Sequence, residues 1–428
     1  MTTSSSGASG RHRRALLAGL ITGTSVALGV GACTPSGTPS TGASSTSASL
    51  PPATSASTTA GTATAGETTS NSSSSSSAST SVDPIGACVD TAVAGLSEEE
   101  QIGQLLMVGL DAGAGARGVD SAVTEHHVGG VILLGGWSGA ATVTAVTEHL
   151  NSIATGPKLF LAADQEGGQV QQLKGAGFST IPSATQQATL GPAALREAAT
   201  DWAQELVDVG INVNLAPVAD TVPADIGTAN GPIGRYHREY GSTPAAVIPP
   251  MTAFLAGMHD GEVMTAVKHF PGIGRIRGNT DSSATGITDP TTTLDDPYLE
   301  PFRAGIDAGT DFVMVSSAAY PKIAAAQALF APEIVTDLLR TRLGYDGVVI
   351  TDDVGAAAAV AATPIGERAT KFIAAGGDIV LTAKASDIPV MARAVKAELA
   401  DEEFAAKAGA ALERVLTLKA RRGLLDCS

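Results

Sequence analysis

From residue 85 onward, short runs that are apolar throughout alternate with longer stretches in which apolar positions return every three to four residues. The short runs fall at 105–110, 131–134, 159–163, 213–218, 263–267, 312–315, 348–351 and 379–382. The clearest helical patterns lie between them, at 193–209, 244–259, 297–308, 332–343 and 365–375. A further helix opens at Ser97, an N-cap residue followed by glutamates in the first turn. Gly210, Gly309, Gly344 and Gly376 follow the ends of such stretches, where a left-handed residue stops a helix. Strands with no polar alternation are buried on both faces, so this order predicts a parallel sheet covered by helices. Eight strand–helix repeats predict an α/β fold closed as a (β/α)8 TIM-type barrel, a single domain over 85–428. An open doubly wound sheet is the alternative; no Gly-x-Gly-x-x-Gly turn follows the first run to favour dinucleotide binding.

The amino-terminal segment follows different rules. Arg11, His12, Arg13 and Arg14 precede an apolar, glycine-containing run that is too short for a stable membrane span. The run ends in Val30-Gly31-Ala32-Cys33, which resembles the lipobox of bacterial lipoproteins. We therefore expect residues 1–32 to be a signal peptide and Cys33 to carry a lipid on the outer face of the cytoplasmic membrane. Arg13-Arg14 leaves twin-arginine export open beside the general route. Residues 33–84 are Ser, Thr, Ala, Gly and Pro with almost nothing to bury, a flexible tether. Of three cysteines, Cys88 and Cys427 remain, one at each end of the globular part. In an oxidising compartment, with barrel termini close in space, they are expected to form a disulfide, two unrelated thiols being the alternative.

A formal net charge of −16 argues against nucleic acid, whose phosphates such a surface repels. No cysteine–histidine spacing suits zinc and no Walker-type loop is present, so neither metal nor organic cofactor is expected. Candidate chemistry collects instead at the carboxyl ends of the predicted strands: Asp164 after the third, Lys268 and His269 after the fifth, Asp352 and Asp353 after the seventh. Charges at the ends of apolar strands are costly unless paired or used, and in a barrel these ends converge on one mouth.

Three segments, Asp164-Gln165-Glu166-Gly167-Gly168-Gln169-Val170, Lys268-His269-Phe270-Pro271-Gly272 and Ile350-Thr351-Asp352-Asp353, resemble the signatures of glycoside hydrolase family 3. They are most similar to the single-domain bacterial β-N-acetylhexosaminidases that act on cell-wall fragments, over about residues 90–425. The resemblance implies a retaining mechanism with Asp352 as nucleophile, and Asp164, Lys268, His269 and Arg238 on the sugar, with Arg235 competing for the last role. It implies a β-linked N-acetylglucosamine or muropeptide substrate, and we expect a monomer.

Two positions depart from the family pattern. Asp281-Ser282-Ser283 stands where the family has Asp-Ser-His, whose histidine is the acid/base; here Asp281 is the candidate acid/base or what is left of its dyad. Gln172 stands where an arginine is usual. A general acid/base contributes about 10²–10⁴-fold, so three readings follow: a working hydrolase, a sugar-binding lipoprotein with little turnover, or a phosphorolytic relative drawing its anion to Arg275 and Arg277. A β-glucosidase of the same family is a further alternative.

Overall fold

The computed structural model describes residues 83–427; the expected signal peptide, Cys33 and most of the expected tether lie outside these residues. Eight parallel strands form one sheet: β1 (Leu106–Asp111), β2 (Gly130–Leu134), β3 (Phe160–Ala163), β4 (Val213–Asn214), β5 (Met264–Phe270), β6 (Phe312–Val315), β7 (Val348–Thr351) and β8 (Val380–Thr382). Each pairs with its sequence neighbour, and β1 pairs back to β8. Between β7 and β8 the ring is joined by the Thr351 N–H on the Ile379 carbonyl and the Ile379 N–H on the Val349 carbonyl, both at 3.0 Å. The sheet is therefore a TIM-type barrel with helices around it, not an open sheet.

Every residue of β3, β5, β6, β7 and β8 is buried, which is why these strands read as unbroken apolar runs. The Ser97 cap forms a capping box with Glu100, but its helix ends at Gln104, and Leu106 already belongs to β1. Two strands differ from expectation. The expected run 213–218 gives a strand only at Val213–Asn214; Pro217 has no N–H to donate to the ladder, and Val218 meets Lys268 beyond it. Conversely β5 continues through Lys268, His269 and Phe270, so two candidate residues are strand residues inside the barrel rather than just beyond it.

At the periphery, the helix Pro84–Gly95 packs on the last helix, Glu402–Arg421. Cys88 and Cys427 are joined as a disulfide with Cα atoms 5.3 Å apart.

Candidate active site

The carboxyl ends of the strands open on a cavity of about 280 Å³ lined by Asp164, Gln172, Arg238, Lys268, His269, Asp281, Asp352 and Asp353, with Leu134, Leu215 and Met314 among its apolar walls. That lies near the lower bound of small-molecule sites, about 300 Å³, and suits one sugar ring rather than a chain. All six residues expected to touch substrate or do chemistry face this one space.

Its cationic side is a tightly paired cluster. Residues 165–171 fold as a small antiparallel hairpin turned at Gly167 and Gly168, both at positive φ. A Cβ on Gly167 would lie 2.2 Å from the Pro182 carbonyl oxygen, so the tight approach needs glycine. The hairpin swings Glu166 into the barrel, where Lys268 Nζ reaches Glu166 Oε1 and Asp164 Oδ1, each at 2.6 Å. Arg238 grips Glu166 with two bonds, Nε to Oε2 at 2.8 Å and Nη2 to Oε1 at 2.7 Å. Burial alone would raise the Glu166 carboxyl, but Arg238 and Lys268 outweigh it and hold it at about 2. Burial would likewise lower Lys268, yet Asp164 and Glu166 raise it. Glu166, Lys268 and Arg238 thus hold one another in their charged forms. Arg238, not the exposed Arg235, is the arginine of the site.

His269 Nδ1 lies 2.7 Å from Asp220 Oδ2, and its ring Nε2 is 3.5 Å from Arg238 Nη2. Burial, with Arg238 and Lys268 adding, drives the imidazole well below its usual range, which favours the uncharged ring. Asp220 is fully buried and pushed up to about 8 by that burial, opposed by the Ile273 N–H at 2.7 Å and by Arg238. His269 is therefore a positioned hydrogen-bonding group and not a proton donor of ordinary acidity.

Among the described residues, no cation forms an ion pair with Asp352 or Asp281 on the anionic side. Asp352 Oδ1 accepts the Asp353 N–H at 2.9 Å. Burial and then the neighbouring Asp281 push its carboxyl up to about 7. Asp281, on the pocket's exposed rim, is also raised, by desolvation first and then by Asp353 and Asp164 against the pull of Arg238. Asp353 is occupied elsewhere: its Oδ1 takes the N–H groups of Gly355 and Ala383, and its Oδ2 that of Ala356. It shapes the turn that presents Asp352.

The loop after β5 carries Asp281 and is held firmly where it leaves the strand. Asn230 Nδ2 binds the carbonyls of Ile273 and Ile276 at 2.7 and 2.8 Å, and a Cβ on Gly274 would stand 1.9 Å from the Thr221 oxygen. Ser283, in the histidine's place, spends its hydroxyl within its own turn, on the carbonyl of Thr285 at 2.8 Å and its N–H at 3.0 Å. Gln172 lines the pocket and accepts the Gly136 N–H at 3.2 Å through Oε1. Arg275 is not available to an anion: Asp296 binds it twice, at 2.6 and 3.1 Å, Thr292 accepts a bond at 3.0 Å, and it lies 3.7 Å above the Tyr298 ring.

Two carboxyls facing one pocket can protonate a leaving group and stabilise developing positive charge. The model of the glycosyl hydrolase family 3 N-terminal domain matches residues 97–418. The chain belongs to glycoside hydrolase family 3. Among curated relatives, the β-hexosaminidase LpqI of Mycobacterium tuberculosis is 32% identical over 339 residues, covering 76% of this chain and 83% of its own. Among solved structures, the β-N-acetylhexosaminidase of Beutenbergia cavernae is 49% identical with a TM-score of 0.74, covering 76% of this chain and 98% of its own. A family 3 β-N-acetylglucosaminidase from Paenibacillus is 30% identical with a TM-score of 0.68, covering 77% of this chain and 63% of its own. This family 3 chain is a glycoside hydrolase.

Glu166 and Asp220 are the site residues that reading the sequence left without a role. Glu166 stands inside a quoted motif, and Asp220 just past an apolar run, where a charge always asks for a partner. Nothing in the sequence says that their partners come from other strands.

Proposed function

We propose that the protein is a retaining β-N-acetylhexosaminidase that removes terminal β-linked N-acetylglucosamine from peptidoglycan fragments. The observation that carries this reading is the pair Asp352 and Asp281 facing one sugar-sized pocket, beside a fixed cluster of Asp164, Lys268 and Arg238 with His269. Asp352 attacks the anomeric carbon and forms a glycosyl-aspartate as the glycosidic C–O bond breaks; water then releases the sugar. Asp281, with the imidazole missing, gives its proton to the leaving oxygen and later takes one from the water. Both carboxyls hold their protons more tightly than ordinary carboxylates: Asp281 is raised by desolvation first, and Asp352 is pushed up to about 7 by burial and then by Asp281. Names of the relatives above support the N-acetylhexosaminide substrate.

The lipobox-like Val30-Gly31-Ala32-Cys33 supports a lipid anchor on the outer face of the cytoplasmic membrane, from which the domain reaches cell-wall sugars. Its test is release of the full-length protein from membranes by Cys33→Ala.

Turnover is tested with an aryl β-N-acetylglucosaminide. Asp352→Asn is expected to lower kcat/KM by about 10⁴-fold while the fold is kept, the scale on which removing one member of a catalytic unit acts. A 5-fluoro N-acetylglucosaminyl fluoride should add one sugar mass to a peptide containing Asp352. Near-full activity of the variant, or labelling elsewhere, refutes the mechanism. Sugar binding without turnover is the competing reading, favoured by the hydroxyl of Ser283 being used up in its own turn. Calorimetric binding with no turnover of any aryl glycoside would establish it.

A further inference from the structure

Gln327 lies outside the pocket lining, yet it ties the segment after β6 to the segment that follows Asp352 and bonds the Asp281 loop. Its side-chain Nε2 donates to two backbone oxygens, Ser317 at 2.8 Å and Ala359 at 2.8 Å. Ser317 sits just past β6; Ala359 lies on the segment that follows β7 and Asp352. That same segment holds the acid/base loop by its backbone. The Ala359 N–H donates to the Thr280 oxygen and the Ala358 N–H to the Asp281 oxygen, both at 3.0 Å. A single amide thus links the end of β6 to the strip on which Asp281 hangs. Ala318 and Ala319 reinforce its base: the Ala328 N–H bonds the Ala318 oxygen at 2.9 Å, and Ala319 pairs with both Gln327 and Thr288. Ala359 and Ser317 are buried, so a lost donor there is not replaced cheaply by water.

We propose that Gln327 is a positioning residue for acid/base catalysis: by fixing the 358–359 segment it sets the reach of the Asp281 carboxyl to the leaving oxygen over Asp352. The inference rests on Asp281 being the acid/base. A glutamine suits the task because its NH2 group offers two donors in one plane to two carbonyls. Glutamate in the same shape turns acceptors toward those carbonyls. A displacement of about 1 Å in a reacting group can cost about 10²-fold, so a strap two contacts away is placed to matter.

The test compares kcat/KM for a series of aryl and alkyl β-N-acetylglucosaminides, because protonation of the leaving group matters little for an acidic phenol and greatly for an alcohol. In Gln327→Ala and Gln327→Glu the poor leaving groups are expected to lose about 10- to 100-fold and the best phenols about threefold or less. The basic limb of the pH profile should move as well, with the melting temperature measured alongside. A purely structural role would lower all substrates equally, and equal losses or none would overturn the proposal. Asp281→Ala run in parallel separates the two claims. If it shows steep leaving-group dependence and the Gln327 variants do not, only the positioning role fails; if Asp281→Ala lacks that dependence, the acid/base reading itself fails.

Discussion

Both ends of the barrel carry buried carboxylates beside strand termini, and they are handled in opposite ways. At the amino-terminal end Asp311, just before β6, accepts the Thr265 N–H at 2.9 Å and His259 at 2.9 Å through Oδ2, and Arg422 through Oδ1. Asp378, before β8, takes the Val349 N–H at 2.6 Å, Arg340 at 2.6 Å and Arg414 at 2.8 Å. Each ties an outer helix or its end to the barrel by charge. At the mouth, Glu166 has the same complete pairing, but Asp352 has one backbone donor and a carboxyl neighbour. Burial is shared; the partner decides. A carboxylate whose oxygens are taken by donors with a guanidinium among them is a fastener, whereas one beside another carboxyl is held ready to share a proton.

The largest effect that would break this contrast is at Asp281. Asp281→Asn should lower kcat/KM for poor leaving groups by about 10²–10⁴-fold. It also removes a negative neighbour from Asp352. Since that neighbour raises the Asp352 carboxyl, its loss favours ionisation, and the acidic limb of the pH–rate profile moves to lower pH. An unmoved limb would mean the two carboxyls do not feel one another. The same raised value makes ionised Asp352 a burden on the fold: stability falls as pH rises from the usual carboxylate range through about 7. Asp352→Asn should therefore raise the melting temperature at pH 8, whereas an unpaired fastener would lower it.

Glu166→Gln tests the exception at the mouth. Arg238 loses a bidentate partner and Lys268 one of two, leaving buried cations short of charge, for about 3–5 kcal/mol of lost stability. Denaturant unfolding of variant and parent measures it. Asp311→Asn, at the far end, is expected to cost about 1.5–3 kcal/mol and to leave the pH profile and leaving-group dependence unchanged. If it altered either, the division of labour between the two ends would be wrong.

Much of this contrast was open to a reader of the sequence, because barrel strands are apolar runs and a polar residue closing one stands out. Asp164, Lys268, His269 and Asp352 reach one pocket for that reason. What escaped depends on which loops meet after the strands have paired. Glu166 meets Arg238 across 72 positions, Asp220 meets His269 across 49, and Gln327 reaches Ala359 across 32. Spacing in sequence carries no trace of such pairs. The choice of Arg238 over Arg235 turned on a short loop with His237 at positive φ, a matter of local backbone that residue type does not announce.

Lys419 gives the most exacting test, because it has neither fate. Its ammonium is fully buried at the amino-terminal end, bonded to Gln104 Oε1 at 2.6 Å and the Gly129 oxygen at 3.0 Å, and lies 4.9 Å over the Phe160 ring. Two neutral oxygens and a ring replace the carboxylate that every fastener has, and burial lowers it to about 7. Above that pH the folded chain holds it neutral while the unfolded chain still binds the proton, so unfolding takes up a proton and stability rises with pH up to the ordinary lysine range. The stability difference between parent and Lys419→Met should thus shift in the parent's favour between pH 7 and 10, by at most about 1.4 kcal/mol per pH unit. Lost bonds to Gln104 and Gly129 add a constant offset and leave that slope untouched. Parallel curves would mean that two carbonyl-type oxygens and an aromatic face hold a buried ammonium charged without an anion, and that pairing is not what separates the two ends.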